Sequence, residues 1–154
     1  MPPLVIGHHL IWAAYGWWLP NDLRGSMSRF VYSDVLRELG ELHYGRKRIQ
    51  PASRDIRAFY EDAGSKLKHA LMQFTQPEVD AIAAAFRGVI NECRYTCYAC
   101  VIMFDHVHVL IRKHRDFAEE MIFNFQEASR LRLRTLVSVP GITPSGEDPD
   151  GKCS

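Results

Sequence analysis

Two histidines, His106 and His108, stand two residues apart in Phe104-Asp105-His106-Val107-His108-Val109-Leu110-Ile111. In an extended strand successive side chains point to opposite faces, so both imidazoles share one face and Val107, Val109 and Ile111 share the other. Two adjacent nitrogen donors can hold one divalent metal ion. The plainer alternative is a strand whose polar face carries two histidines with no ligand role.

A second set of metal-capable residues is Cys93, Cys97 and Cys100, with Cys153 far away in the chain. Cys97 and Cys100 have the Cys-x-x-Cys spacing of zinc sites. On a strand, however, positions three apart face opposite sides, and no second Cys-x-x-Cys or His-x-x-x-His pair follows. Two readings stay open: small buried apolar side chains, the usual fate of free cysteine, or a non-enzymatic zinc-stabilised fold drawing on Cys93, Cys97, Cys100, His106 and His108.

The composition is that of an ordinary globular chain, with 154 residues of which 47% are hydrophobic, enough for one domain with a core. Nineteen basic residues against eighteen acidic ones give a net charge of +1, so nucleic-acid contact would have to come from a local patch. No stretch reaches the roughly 18 to 20 apolar residues that span a bilayer, and no basic leader precedes a hydrophobic run. The expectation is a cytoplasmic protein with no membrane partner. Phosphate loop, nucleophile elbow and His-Glu-x-x-His helix are all missing, so nothing marks a small-molecule metalloenzyme.

The elements that must position the histidines follow from periodicity and punctuation. Leu4 to Ala14 reads as a first strand, closed by Tyr15-Gly16 and Leu19-Pro20-Asn21-Asp22. Ser33 caps a short helix through Val35, Leu36 and Leu39, stopped by Gly40. Basic Arg46-Lys47-Arg48 and Pro51 mark an exposed connection. Asp55 to Leu71 then carries Ile56, Phe59, Tyr60, Ala63, Leu67 and Leu71 at helical spacing, with Gly64 working against it.

Thr75-x-x-Glu78 is a capping box with Pro77 at the first helical position, and Val79, Ile82, Ala83, Phe86, Val89 and Ile90 form an apolar stripe suited to covering a sheet. Arg94 to Met103 reads as a strand, Phe104-Asp105 as a tight connection and His106 to Arg112 as the antiparallel return strand. From Asp116 a last helix runs through Phe117, Met121, Ile122, Phe125, Ala128, Leu131 and Leu136, with Asp116, Glu119 and Glu120 in its first turn. Pro140 to Ser154 reads as a flexible tail. The order predicts an α+β fold, helices on one face of an antiparallel sheet and the histidines on the other.

His106-Val107-His108 in a hairpin strand resembles the His-hydrophobic-His motif of single-strand DNA nucleases that use a tyrosine nucleophile. Within that group it is most similar to the tyrosine transposases associated with repetitive extragenic palindromes. A second segment supports the resemblance: Trp12-Ala13-Ala14-Tyr15-Gly16-Trp17-Trp18-Leu19-Pro20-Asn21-Asp22, followed by Arg24-Gly25, is similar to the N-terminal strand and loop of those proteins. The similarity covers that strand and loop and about residues 75 to 136. Residues 33–74 then read as a helical insertion, within a transposase-like domain over 1–139 and before a tail over 140–154.

The resemblance implies a ferredoxin-like, RRM-like sheet, Mg²⁺ or Mn²⁺ on His106 and His108, and cleavage and rejoining of hairpin-forming single-stranded DNA through a phosphotyrosine. Pairing into a homodimer is also implied. Two departures stand out. Phe104-Asp105 replaces the Pro-Asn that commonly precedes the first metal histidine, and no tyrosine follows Tyr98, whereas the family's nucleophile lies on a helix well beyond the histidine pair. Gln126-Glu127-Ala128-Ser129 falls where the family has Lys or Arg and Ser or Thr on the preceding helix.

Three readings follow: a chain cut short before its nucleophile and a last strand or helix, and so marginally stable alone; an upstream nucleophile, Tyr15 or Tyr60; or a DNA-binding module without catalysis. Phosphate contacts would come from Arg112, Lys113 and Arg115 after the histidine strand and from Arg130, Arg132 and Arg134 on the last helix, where basic side chains equally offset the helix dipole. Tyr15 and Trp17 are candidates for base stacking, or for packing.

Overall fold

The computed structural model describes residues 4–137, and the tail over 140–154, Cys153 included, lies outside the described residues. The elements run β1 (Gly7–Ala13), α1 (Asp34–Arg37), α2 (Ser53–Lys66), α3 (Gln76–Cys93), β2 (Cys97–Ile102), β3 (His106–Arg112) and α4 (Ala118–Val137). They form an α+β protein whose three-stranded antiparallel sheet has the order β1-β3-β2. The described residues divide into two compact units, one made of 4–12 with 73–137 and the other of 13–72.

In the first unit the histidine strand is the central one, and its apolar parity builds the core. Val107, Val109 and Ile111 are buried with Leu10 of β1, Ile82, Phe86 and Val89 of α3, Tyr95, and Met121 and Phe125 of α4. The aromatic centre is tight: Phe125 stands 4.8 Å from Phe86 and 5.9 Å from Tyr95, ring centre to ring centre. α3 and α4 therefore cover one sheet face. β2 pairs antiparallel with β3, placing Val101 opposite His108 and Ile102 opposite Val107, with an irregularity between Cys97 and Ala99.

Local chemistry explains the element ends. The Thr75 backbone N–H donates to Glu78 Oε2 at 2.7 Å and its hydroxyl donates to the same oxygen at 2.8 Å, which starts α3 at Gln76 and puts Pro77 second. Arg94 ends that helix in the left-handed region (φ 58°), and Tyr95 N–H returns to the Ile90 carbonyl at 3.0 Å. β2 consequently begins at Cys97 rather than Arg94. The apolar stripe of α3 is buried at Ala81 rather than at Ala83. α4 begins at Ala118 rather than Asp116, because Asp116 accepts from the Tyr95 hydroxyl at 2.8 Å while Glu120 caps the Phe117 N–H at 2.7 Å. Phe117 and Leu131 are exposed, and Leu133 packs against the core in their stead.

The second unit holds the first loop and α1 and α2. α2 ends at Lys66, five residues before Leu71, because Leu67 turns extended (ψ 147°). Leu67 and Leu71 pack on Gly16, whose φ of +82° and missing Cβ make room: an added Cβ would stand 2.5 Å from Leu71 Cδ2. Met72 N–H bonds the Tyr15 carbonyl at 3.0 Å and closes the loop. Ser33 occupies the cap position of α1 without a side-chain bond, and α1 buries nothing.

The candidate metal and DNA site

β3 delivers what alternation requires. His106, His108, Leu110 and Arg112 share the sheet face opposite the helices, while their odd-numbered neighbours are buried. The rings of His106 and His108 lie 4.9 Å apart at 76°. Both side chains are half-buried, so each can be reached from solvent.

Asp105, just before the first histidine, is buried at 5% exposure. Its Oδ1 lies 2.6 Å from His106 Nδ1. A carboxylate there accepts the Nδ1–H bond and fixes the ring, the arrangement that commonly orients a metal-binding histidine. His108 is held below the usual histidine range by desolvation first, then by the neighbouring His106 and His9. It is neutral at pH 7, the ligand form.

A third imidazole, not singled out from the sequence, stands beside this pair. His9 of β1 places Nε2 3.0 Å from His108 Nδ1, with the two rings stacked 5.1 Å apart. The signal was available in Gly7-His8-His9-Leu10, where His9 has the parity opposite to buried Leu10. Among the described residues no set of three or more His, Cys, Asp or Glu side chains is grouped to hold a metal ion as it stands. Cys93, Cys97 and Cys100 are free thiols. Burial pushes the Cys97 thiol up, and burial followed by Cys97 pushes Cys100 up, which disfavours the thiolate that zinc requires.

The basic candidates separate. Arg112 continues the histidine face, and Lys113, His114 and Arg115 line a groove with Glu92, Cys93 and Arg94 from the end of α3. Arg94 is a basic residue the sequence reading missed, since it looked like the start of a strand. Arg115 lies 3.6 Å from Asp116. On α4, Arg130 is paired with Glu127, whose charge Arg134 also faces, and Arg132 and Arg134 lie on the exposed helix surface.

Tyr60 and Trp17 are engaged within the second unit. Tyr60 is buried and donates to Asp22 Oδ2, while its oxygen accepts Trp18 N–H at 2.9 Å and Arg24 Nη2 at 3.0 Å. Burial, then the bond to Asp22 and its charge, push the phenol well above its ordinary value. Tyr15 is exposed, its ring edge-on to His69 at 5.7 Å. Trp17 gives its indole N–H to the Met72 carbonyl at 2.7 Å and packs 4.5 Å from the Tyr60 ring.

No helix among the described residues is long and apolar enough to cross a membrane. Comparison with known proteins adds no relative: no described family, curated protein or solved structure matches the chain.

Proposed function

We propose that this chain is a transposase-like domain of the ferredoxin-like kind that binds hairpin-forming single-stranded DNA at a divalent metal site on its open sheet face. The observation that carries the reading is the side-by-side placement of His106 and His108 on β3, with Asp105 fixing the first ring and Arg112 on the same face.

The donor set fits a divalent ion. His108 is held below the usual histidine range, the His106 ring is oriented by Asp105, and both lie on the sheet face opposite the helices. His106 and His108 would hold the ion; Mn²⁺ tolerates imidazole better than Mg²⁺, which prefers oxygen ligands. When bound, it supplies charge neutralisation at a phosphodiester. Arg112 would meet the phosphate on the same face, and Lys113, Arg115 and Arg94 would carry the strand along the adjoining groove.

Strand cleavage through a phosphotyrosine is the resemblance's chemistry, and this chain offers it little support. Tyr60 is committed to Asp22 and Arg24 with its phenol held protonated, and α4 carries no tyrosine. We therefore assign DNA and metal binding to the chain, without a nucleophile of its own from α4. Fluorescence anisotropy with a labelled DNA hairpin, with Mn²⁺ or with EDTA, tests it. Binding that Mn²⁺ strengthens, and that His106→Ala/His108→Ala no longer responds to, supports the proposal; equal binding in all conditions sinks it.

A further inference from the structure

Phe30, Tyr32 and Tyr44 of the second unit are each more than half exposed, and the reading above gives none of them a role. Aromatic rings gathered in water mark an interaction surface. We infer that this loop surface is a stacking site for single-stranded DNA, separate from the histidine face and independent of metal. It moves the stacking role away from Trp17, which is packed against Tyr60, to rings that the sequence reading passed over.

The two segments that supply the rings are joined through the backbone. Ser26 N–H donates to the His43 carbonyl and Gly45 N–H to the Ser26 carbonyl, both at 2.7 Å, and Lys47 N–H reaches the Arg24 carbonyl at 3.2 Å. Tyr44 is therefore held between two bonded residues, beside the segment that leads to Phe30 and Tyr32. The Phe30 and Tyr32 rings stand 5.9 Å apart, centre to centre, and the Arg29 guanidinium lies 5.8 Å from the centre of the Tyr44 ring. Charge complements a phosphate backbone. Arg46, Lys47 and Arg48 follow directly and are exposed, and among the described residues no carboxylate pairs with them or with Arg29, whereas Arg24 and Arg37 of the same stretch are spent on Asp22 and Asp34. Unpaired bases offer π faces to the rings while their phosphates meet the cations, the combination by which single strands are bound without sequence preference. A duplex keeps those faces in its own stack, so the surface favours unpaired strand. The choice of DNA over RNA rests on the function proposed above, and nothing else in the inference does.

Fluorescence anisotropy of a labelled oligothymidylate tests it, in EDTA and with the full chain carrying His106→Ala/His108→Ala, so that the histidine face contributes no metal. Hydrogen exchange locates the bound strand, and far-UV circular dichroism checks the fold of each variant. Binding is expected, with new exchange protection over residues 26–48. Tyr32→Leu/Tyr44→Leu should weaken it at least about 5-fold, whereas Tyr32→Phe/Tyr44→Phe should keep the full affinity, because the ring and not the hydroxyl stacks. Arg46→Ala/Lys47→Ala/Arg48→Ala should reduce the salt slope by about 2. A duplex of matched length should bind more weakly than the single strand. Leucine variants that bind as tightly as the unaltered surface, or a duplex bound as well as the single strand, would overturn the inference. So would oligouridylate bound more tightly than oligothymidylate, which makes the occupant RNA, or phosphatidylserine vesicles bound where oligothymidylate is not, which makes it a membrane. With no metal present, failure of Mn²⁺-dependent hairpin binding leaves this result standing, and failure of oligothymidylate binding leaves the metal reading standing.

Discussion

Asp22 and Tyr60 give the sharpest test of how the second unit is built, because the same contacts decide whether Tyr60 can attack DNA. Asp22 is 1% exposed, and its carboxylate takes the Arg24 backbone N–H at 2.8 Å, Arg24 Nε at 3.0 Å, Arg24 Nη2 at 2.7 Å and the Tyr60 hydroxyl. Arg24 in turn stacks 3.8 Å over the Trp18 ring. Asp22→Asn replaces one acceptor oxygen of a buried side chain by an NH₂ group and removes the counter-charge of the half-buried Arg24 guanidinium. Breaking one side of a buried pair costs about 3–5 kcal/mol. Tyr60→Phe takes away the acceptor of Trp18 N–H and one donor to Asp22, which costs about 1–3 kcal/mol. The double variant should lose less than the two singles together, since they share a network.

Hydrogen exchange read by mass spectrometry over residues 13–72 is the assay, because it reports this unit by itself. Burial alone would raise the Asp22 pKa, but the bonds from Arg24 and Tyr60 outweigh it and leave the carboxyl below its ordinary value. A depressed native pKa contributes stability that is complete above the unfolded value near about 4 and is lost as pH falls through the native value. Protection of this unit should therefore fall selectively below about pH 4 in the wild type, and that step should be absent in Asp22→Asn. Protection unchanged in both variants would refute the network's role, and a DNA adduct abolished by Tyr60→Phe would refute the placing of Tyr60 as a structural residue.

Four further outcomes follow. Asp105→Ala frees the His106 ring and should weaken Mn²⁺ binding about 10 to 100-fold with an unchanged melting curve, measured by calorimetric titration. Gly25→Ala should unfold the second unit, since its Cβ would lie 1.8 Å from the Gly45 carbonyl oxygen at φ +91°, whereas Gly45→Ala meets open space and should cost only about 1 kcal/mol of backbone strain; urea titration of the two compares them. Glu78→Ala removes both bonds of the α3 cap and should lower stability by about 1 kcal/mol by thermal melting. Arg112→Ala/Lys113→Ala should flatten the salt dependence of hairpin binding, a slope readable from anisotropy at several salt concentrations.

The site was legible where period and punctuation agree. β3 runs over His106 to Arg112 as alternation predicts, because Val107, Val109 and Ile111 have one burial site and the histidines have none. α3 was legible for the same reason, through its cap and stripe. The misjudged ends share a physical cause: apolar residues whose burial is tertiary. Leu67 and Leu71 fit a helical spacing, yet they pack on the glycine turn at Gly16, 51 and 55 residues earlier. Arg94 reads as strand in a run toward Tyr95 and Cys97, but a left-handed residue was needed to close α3.

His9 shows why a residue beside the histidine pair stayed hidden although the pair did not. In Gly7-His8-His9-Leu10-Ile11-Trp12 both parities carry apolar residues, Leu10 and Trp12 on one side and Ile11 on the other, so either adjacent histidine was free to face the core. A one-residue change of strand parity exchanges them. The structure decides it through packing: Leu10 is 2% exposed and Trp12 stacks on Phe125 at 6.2 Å, whereas Ile11 is half-exposed. His8 therefore shares the parity of the core side, and His9 has the parity of His106 and His108. His108→Ala is accordingly expected to shift the side-chain NMR resonances of His9 and to leave those of His8 unchanged, and the reverse result would mean that β1 is placed one residue out of register.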